Sequence, residues 1–324
     1  MATDETHVDA RQFVQHLTAF RYREVTMAIA TLAVALGAIV FYPGSDQITA
    51  GIQADVGLTT LALFVGVAVL AGVVKGMIGF GYALITTPIF ATVIDPTLAV
   101  VVLAIPPWML NMFQIGETDT GLAFVREEWT LLALAVVGSV VGVTFLAQYQ
   151  AGPAVPFLIG LIIFGYVLFQ VIRNFVTVEE AHNPLALSTA GFLEGFLLAA
   201  SNLGPLLPAY FHTFERDAER YIGGLSMVLG TIFTVRIAQM LAMTALDSPV
   251  TIGGTTVLAA TDLMTPYRLW LGCVIAVVTV VGLLLGTYLR RLEIDEERFN
   301  WFVVGLLGII AVNIFRNTIP ALFF

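Results

Sequence analysis

The chain has 324 residues, 58% of them hydrophobic and 11% charged, whereas a soluble domain carries about 25% charged residues. Its 14 basic and 23 acidic residues give a net charge of -9, with no basic face for nucleic acid, so a soluble enzyme, a nucleic-acid binder and a disordered protein are all disfavoured. The composition is that of an all-α, polytopic helical membrane protein. At about 20 residues per spanning helix, the apolar runs use most of the chain and form one membrane domain. Cys273 is the lone cysteine, so an intramolecular disulfide or a cysteine zinc cluster cannot form.

Residues 1–57 read as an N-terminal interfacial segment followed by a first span. The first 24 residues contain Asp4, Glu5, Asp9 and Glu24 and no continuous apolar core, so no cleavable signal peptide is expected. Phe13, Leu17 and Phe20 recur at helical spacing beside Arg11, Arg21 and Arg23, as in an interfacial helix, and place this end in the cytoplasm. Val25 to Tyr42 is the first span, and loop 43–57, without Lys or Arg, faces outward. Leu58 to Ile94 follows as two passes or a re-entrant hairpin, broken by Gly76, Gly79 and Gly81. Asp95-Pro96 turns the chain into runs at about 97–115, 129–147 and 154–172. A second broken segment, Leu185 to Phe211, precedes runs at about 221–246, 266–289 and 299–316. Counting passes puts the loops bearing Arg126, Arg173, Arg216, Arg220, Arg290, Arg291 and Arg298 on the cytoplasmic side.

The order after residue 57 is broken hairpin, three spans, broken hairpin, three spans, the pattern of a duplicated transporter half. Leu61-Ala62-Leu63 before Gly72 parallels Leu185-Ala186-Leu187 before Gly195. Gly81, Pro88 and Asp95 parallel Gly204, Pro208 and Asp217. Gly138 and Gly142 parallel Gly282 and Gly286, and Arg173-Asn174 parallels Arg316-Asn317. The expected units are 58–174, transporter repeat 1, and 175–324, transporter repeat 2. An odd number of passes in each makes the repeat inverted.

Broken helices inside a membrane expose backbone N–H groups, glycines let a ligand approach them, and the positive end of a half-helix favours an anion. Gly76, Gly79 and Gly81, with Thr86 and Thr87 beyond them, form the first such site. Ser201, Asn202 and Gly204 form the second. The competing reading for Gly72 and Gly76 is plain helix packing through GxxxG. Lys75, Glu194 and Arg236 lie inside apolar segments, where a basic side chain costs about 2.5–3.5 kcal/mol on insertion scales. Lys75 and Arg236, one per half, are expected at a central site completed by an anion; Glu194 is the coupling candidate, or else the ion-pair partner of one of them. Asn111 and Gln114 in the first half, with Ser226, Thr234 and Gln239 in the second, are candidates to complete a polar cavity. Pro106-Pro107 should kink its span. The histidines, His7, His16, His182 and His212, lie in or near loops without metal-ligand spacing, and no metal or other cofactor is expected.

With its motifs GMIGFGYALITTP and SNLGPLLP, and its GxxxG spans at VGSVVG and VGLLLG, the chain from about Leu58 to Asn317 resembles the sulfite exporter TauE/SafE family of membrane permeases. It departs from the family's denser glycine pattern at Phe80 and at Ser201-Asn202-Leu203. The resemblance carries over Gly76, Gly79, Gly81, Pro88, Gly204, Pro205 and Pro208 as hairpin positions. It implies transport of small sulfur-containing anions such as sulfite or organosulfonates. The expectation is a secondary transporter in the cell membrane, working by alternating access on a small anionic substrate among membrane lipid, with a proton or sodium ion as coupling partner. The sequence leaves oligomeric state open. An anion channel is the alternative, and an intramembrane enzyme a third reading, weakened because Ser201 has no intramembrane histidine as a base.

Overall fold

The computed structural model describes residues 22–45, 58–79, 81–118, 121–149, 152–172, 184–214, 218–246, 248–252, 255–289 and 296–323. The interfacial helix expected over 10–23 lies almost wholly outside them, as do most of loops 43–57 and 173–184. The chain runs through α1 (Tyr22–Val40), α2 (Leu58–Ile78), α3 (Tyr82–Val93), α4 (Pro96–Val102), α5 (Ile105–Glu117), α6 (Gly121–Glu127), α7 (Trp129–Tyr149) and α8 (Ala154–Ile172). It continues through α9 (Pro184–Ser201), α10 (Leu206–Phe214), α11 (Ala218–Thr244), the strands β1 (Val250–Ile252) and β2 (Thr255–Leu258), α12 (Pro266–Leu289) and α13 (Glu296–Phe323). Among the described residues, 4 helical stretches are long and apolar enough to cross a membrane: Pro96–Glu117, Trp129–Tyr149, Arg220–Thr244 and Pro266–Leu289.

Both broken segments part where the backbone turns left-handed. The first parts at Gly79, with φ 86, and Gly81, with φ 99, values open to glycine at little cost. The second parts between Ser201 and Leu206, with Asn202 at φ 61. Gly76, expected to share in the first break, lies instead within α2, because its missing side chain serves a helix contact. The helices flanking Leu103 and Ala104 are set by capping: Asp95 accepts from Leu98 N at 2.8 Å with Pro96 opening α4, and Pro106-Pro107 fall in the first turn of α5, where a missing N–H costs little. The kink expected at this pair is therefore a break just before it. The all-α expectation has one addition, the antiparallel β1–β2 hairpin between α11 and α12.

Packing is exchanged between the two halves. The first hairpin helix, α2, lies along α12 of the second half, and α9 lies along α7 of the first. Small residues permit both contacts. A Cβ on Gly72 would stand 2.6 Å from Thr279 O, and one on Gly76 or Gly286 would collide with the facing backbone at Leu283 O or Val73 O. Across α7 and α9, Gly138 meets Phe192 O and Gly195 meets Ala135 O in the same way. The last helices of each half, α8 and α13, also pair, as do α5 and α11, while α1 packs on α5 and α12.

Gly76→Ala should accordingly push α2 away from α12 and lower stability by about 1–3 kcal/mol. Gly66→Ala in the same helix, with nothing within 4 Å of the added carbon, should be neutral or slightly stabilising. Thermal unfolding of the two purified variants measures the difference.

Candidate functional site

The two hairpin tips are built on one backbone plan. Lys75, Gly79 and Gly81 are each 123 residues before Leu198, Asn202 and Gly204 (198 − 75, 202 − 79 and 204 − 81). Gly79 N donates to Lys75 O at 2.8 Å, and Asn202 N donates to Leu198 O at 2.9 Å, after which each chain turns left-handed. A long polar side chain from the helix pair α5 and α11 then reaches the same carbonyl in each half. Gln114 Nε2 lies 3.5 Å from Lys75 O, and Arg236 Nη1 donates to Leu198 O at 2.8 Å.

The charges are distributed unequally on this plan. At the first tip the charge is on the hairpin itself: Lys75, 3% exposed, donates from Nζ to Asn111 Oδ1 at 2.9 Å and to Gly79 O at 3.2 Å. Both acceptors are neutral. Gln114 Oε1 accepts from Ser226 Oγ at 3.1 Å, so a residue of α11 closes the cluster. Asn111 Nδ2 is buried without a hydrogen-bond partner. The adjoining α3 has Gly81 as its N-cap, with no side chain capping its amide end, and its first turn closes through Ile85 N to Gly81 O at 3.2 Å.

At the second tip the charge comes from α11. Arg236 is fully buried and donates to Asn202 Oδ1 at 2.6 Å and to Val100 O at 2.7 Å, besides Leu198 O. Asn202 Nδ2 in turn donates to Thr87 Oγ1 at 2.9 Å and to Leu103 O at 3.0 Å. The local sequence explains why these carbonyls are available. Leu103 O would ordinarily accept from residue 107, but Pro107 has no N–H, and Ala104 N turns to Val101 O at 3.2 Å, releasing Val100 O. A backbone carbonyl buried in an apolar medium needs a donor, and Asn202 and Arg236 supply one to each.

Glu194 does not pair with either cation. Its Oε2 accepts from Leu206 N at 2.9 Å and from Leu207 N at 3.3 Å, at the amide end of α10. Its Oε1 is buried without a partner. Gly204 sits against this carboxylate, where a Cβ would collide with it.

Thus Lys75, Gly79, Asn111 and Gln114 come together at the first tip, and Thr87, Asn202 and Arg236 at the second. No hydrogen bond among the described residues joins the two clusters. Gly76 packs on α12, Thr86 donates to Tyr82 O one turn back at 2.9 Å, and Ser201 donates to Leu197 O at 2.7 Å. The acceptors Val100 O and Leu103 O and the Leu206 and Leu207 amides were missed from sequence. Pro107, four residues beyond Leu103, was the available signal for one of them. Elsewhere, an apolar cavity of about 440 Å³ lies between α1, α5, α11 and α12, lined by Val34, Phe41, Ile105, Trp108, Leu241 and Leu269 among others. Of the candidate residues only Thr234 lines it, and its lining offers no charge to an anion.

The family model described as sulfite exporter TauE/SafE matches residues 63–314, well over half of the 324 residues, and covers both hairpin tips and both clusters. No curated protein and no solved structure matches the chain. Both hairpin tips fall within that match, and the chain, a helical polytopic membrane protein, belongs to the sulfite exporter TauE/SafE family.

Proposed function

We propose that this protein is a secondary carrier that moves a small oxyanion, sulfite or an organosulfonate, across the cell membrane by alternating access, with its N-terminus in the cytoplasm. The observation that carries the reading is Lys75: a buried ammonium in a membrane segment whose hydrogen bonds go to neutral oxygens only. An unpaired buried charge is costly, and an anion bound beside it supplies the missing countercharge. Lys75 Nζ, Asn111 Nδ2 and the amide end of α3 are the donors that would hold it, with Gln114 and Ser226 keeping the tip in place. Oriented N–H groups recognise oxygens of an anion by charge and geometry.

Burial and the exchanged packing support alternating access. Lys75, Asn111, Gln114 and Ser226 are all buried, so an anion reaches them only when helices part. Residues 58–174 and 175–324 act as inverted repeats whose hairpin helices each ride on the other half. Rocking one half against the other would then open the site to one side at a time. Arg236 serves this motion as the fastening of the second tip to α4, and Thr87 as the contact between the hairpins.

Sulfite flux into proteoliposomes containing the purified protein tests the proposal. Saturable uptake is expected, competed by thiosulfate or taurine more than by acetate, and accelerated by an imposed proton or sodium gradient. Uptake that rises linearly with concentration, without competition, would contradict a carrier.

A further inference from the structure

The hairpins differ in what occupies the amide end of the second half-helix. In α10 that end is filled by the Glu194 carboxylate, delivered from α9 and held by the Leu206 and Leu207 N–H groups. Position 71, which is 123 residues before Glu194 (194 − 71), is Ala71, buried against Leu110 and Leu283. The first hairpin therefore brings no carboxylate of its own to α3. It carries instead an unpaired cation, Lys75, and an unspent buried donor, Asn111 Nδ2.

We infer that Glu194 is a tethered anion: it fills the second of two equivalent anion subsites, so that a duplicated scaffold with two such places binds one external anion. The inference rests on the assignment of the substrate to the first tip. Its physical basis is the match of parts. A carboxylate on two helix-terminal amides is the interaction an external oxyanion makes at such a terminus, and here the chain itself supplies it, with one oxygen left over. Gly204 leaves room for it, since a Cβ there would collide with the carboxylate. Self-occupation also explains why the second tip needs Arg236 to hold its backbone while the first keeps Lys75 for a ligand.

Removing the tether should reopen the subsite to a free carboxylate of the same chemistry. In purified full-length protein, Glu194→Ala should lower the thermal midpoint by roughly 5 °C, and formate should restore it saturably, with a larger shift than formate gives the unaltered protein. Glu194→Gln keeps an oxygen for both amides and should respond no more than the unaltered protein. Sulfite stoichiometry by equilibrium dialysis should rise from one per chain to two in Glu194→Ala, and return to one when Lys75→Gln is added. If Glu194→Ala is recovered only when formate is present during purification, the assignment stands. Failure of formate to stabilise or recover either Glu194→Ala or the roomier Glu194→Gly, or a stoichiometry that stays at one, overturns it. Unaltered sulfite binding in Lys75→Gln alone would instead refute the first-tip site, while the formate response would still decide the role of Glu194.

Discussion

Lys75→Gln is expected to reduce sulfite transport by roughly 100-fold while leaving the protein folded. Glutamine keeps a donor for Asn111 Oδ1 and Gly79 O but removes the charge. A hydrogen bond to a charged partner contributes about 1.5–3 kcal/mol, which at its upper end is about 100-fold in affinity. Stability should be unchanged or higher, because the substitution also removes a buried cation that no carboxylate in the described structure balances. Asn111→Asp makes the same point from the other side. It places a carboxylate 2.9 Å from Lys75 Nζ, so the site is neutralised from within: sulfite transport should fall at least as far as in Lys75→Gln, while the thermal midpoint rises. If Lys75→Gln transports normally, the cation is structural and the proposed site is wrong.

Arg236→Ala is expected to give the opposite signature, a loss of the folded protein. It removes the guanidinium donors to Val100 O and Asn202 Oδ1 and one of the two donors to Leu198 O. Leaving buried acceptors unmade costs about 1–3 kcal/mol each, and breaking a buried charged network costs about 3–5 kcal/mol. Arg236→Lys preserves the charge, but a compact ammonium cannot span the acceptors that the planar fork reaches, so it should recover only part of the stability. Size-exclusion profiles and thermal midpoints in detergent read the effect. A stable Arg236→Ala protein that has lost sulfite binding would move the substrate to the second tip.

These contrasting expectations also show what the sequence could and could not reveal. The spans α8 and α12 were delimited from hydropathy at Ala154–Ile172 and Pro266–Leu289, because long apolar runs ended by proline or polar residues leave little choice. The first hairpin break was readable at Gly79 and Gly81, because glycines beyond the Gly72-Gly76 pair exceed what a helix contact requires, though Gly76 was wrongly counted into it. The paired GxxxG runs at Gly138 and Gly282 were also plain, but not that each serves the hairpin helix of the opposite half, which is a property of topology. The β1–β2 hairpin was missed, although Gly253-Gly254 between β-branched residues is a turn signal; a membrane-span reading treats such a stretch as loop.

Of the site, the ionisable side chains were found because charges inside apolar segments stand out. Their backbone partners were not, for a definite reason. Arg236 and Glu194 bind backbone carbonyls and amides, which carry no letter in the sequence, and which of them are free depends on where each helix breaks. Lys75 and Arg236, similar as cations in a sequence, thus occupy opposite situations in the fold. Arg236 is used by the protein in all but its Nε, and Lys75 is placed beside Asn111, whose Nδ2 remains unspent.

The most direct test is the position of a bound anion, located by anomalous scattering from crystals grown with selenite, the heavier congener of sulfite. A selenium peak within hydrogen-bonding reach of Lys75 Nζ and the first amides of α3, absent in Lys75→Gln crystals, is the expected result. A peak at Arg236 or in the apolar cavity beside α1, with none near Lys75, would contradict the account.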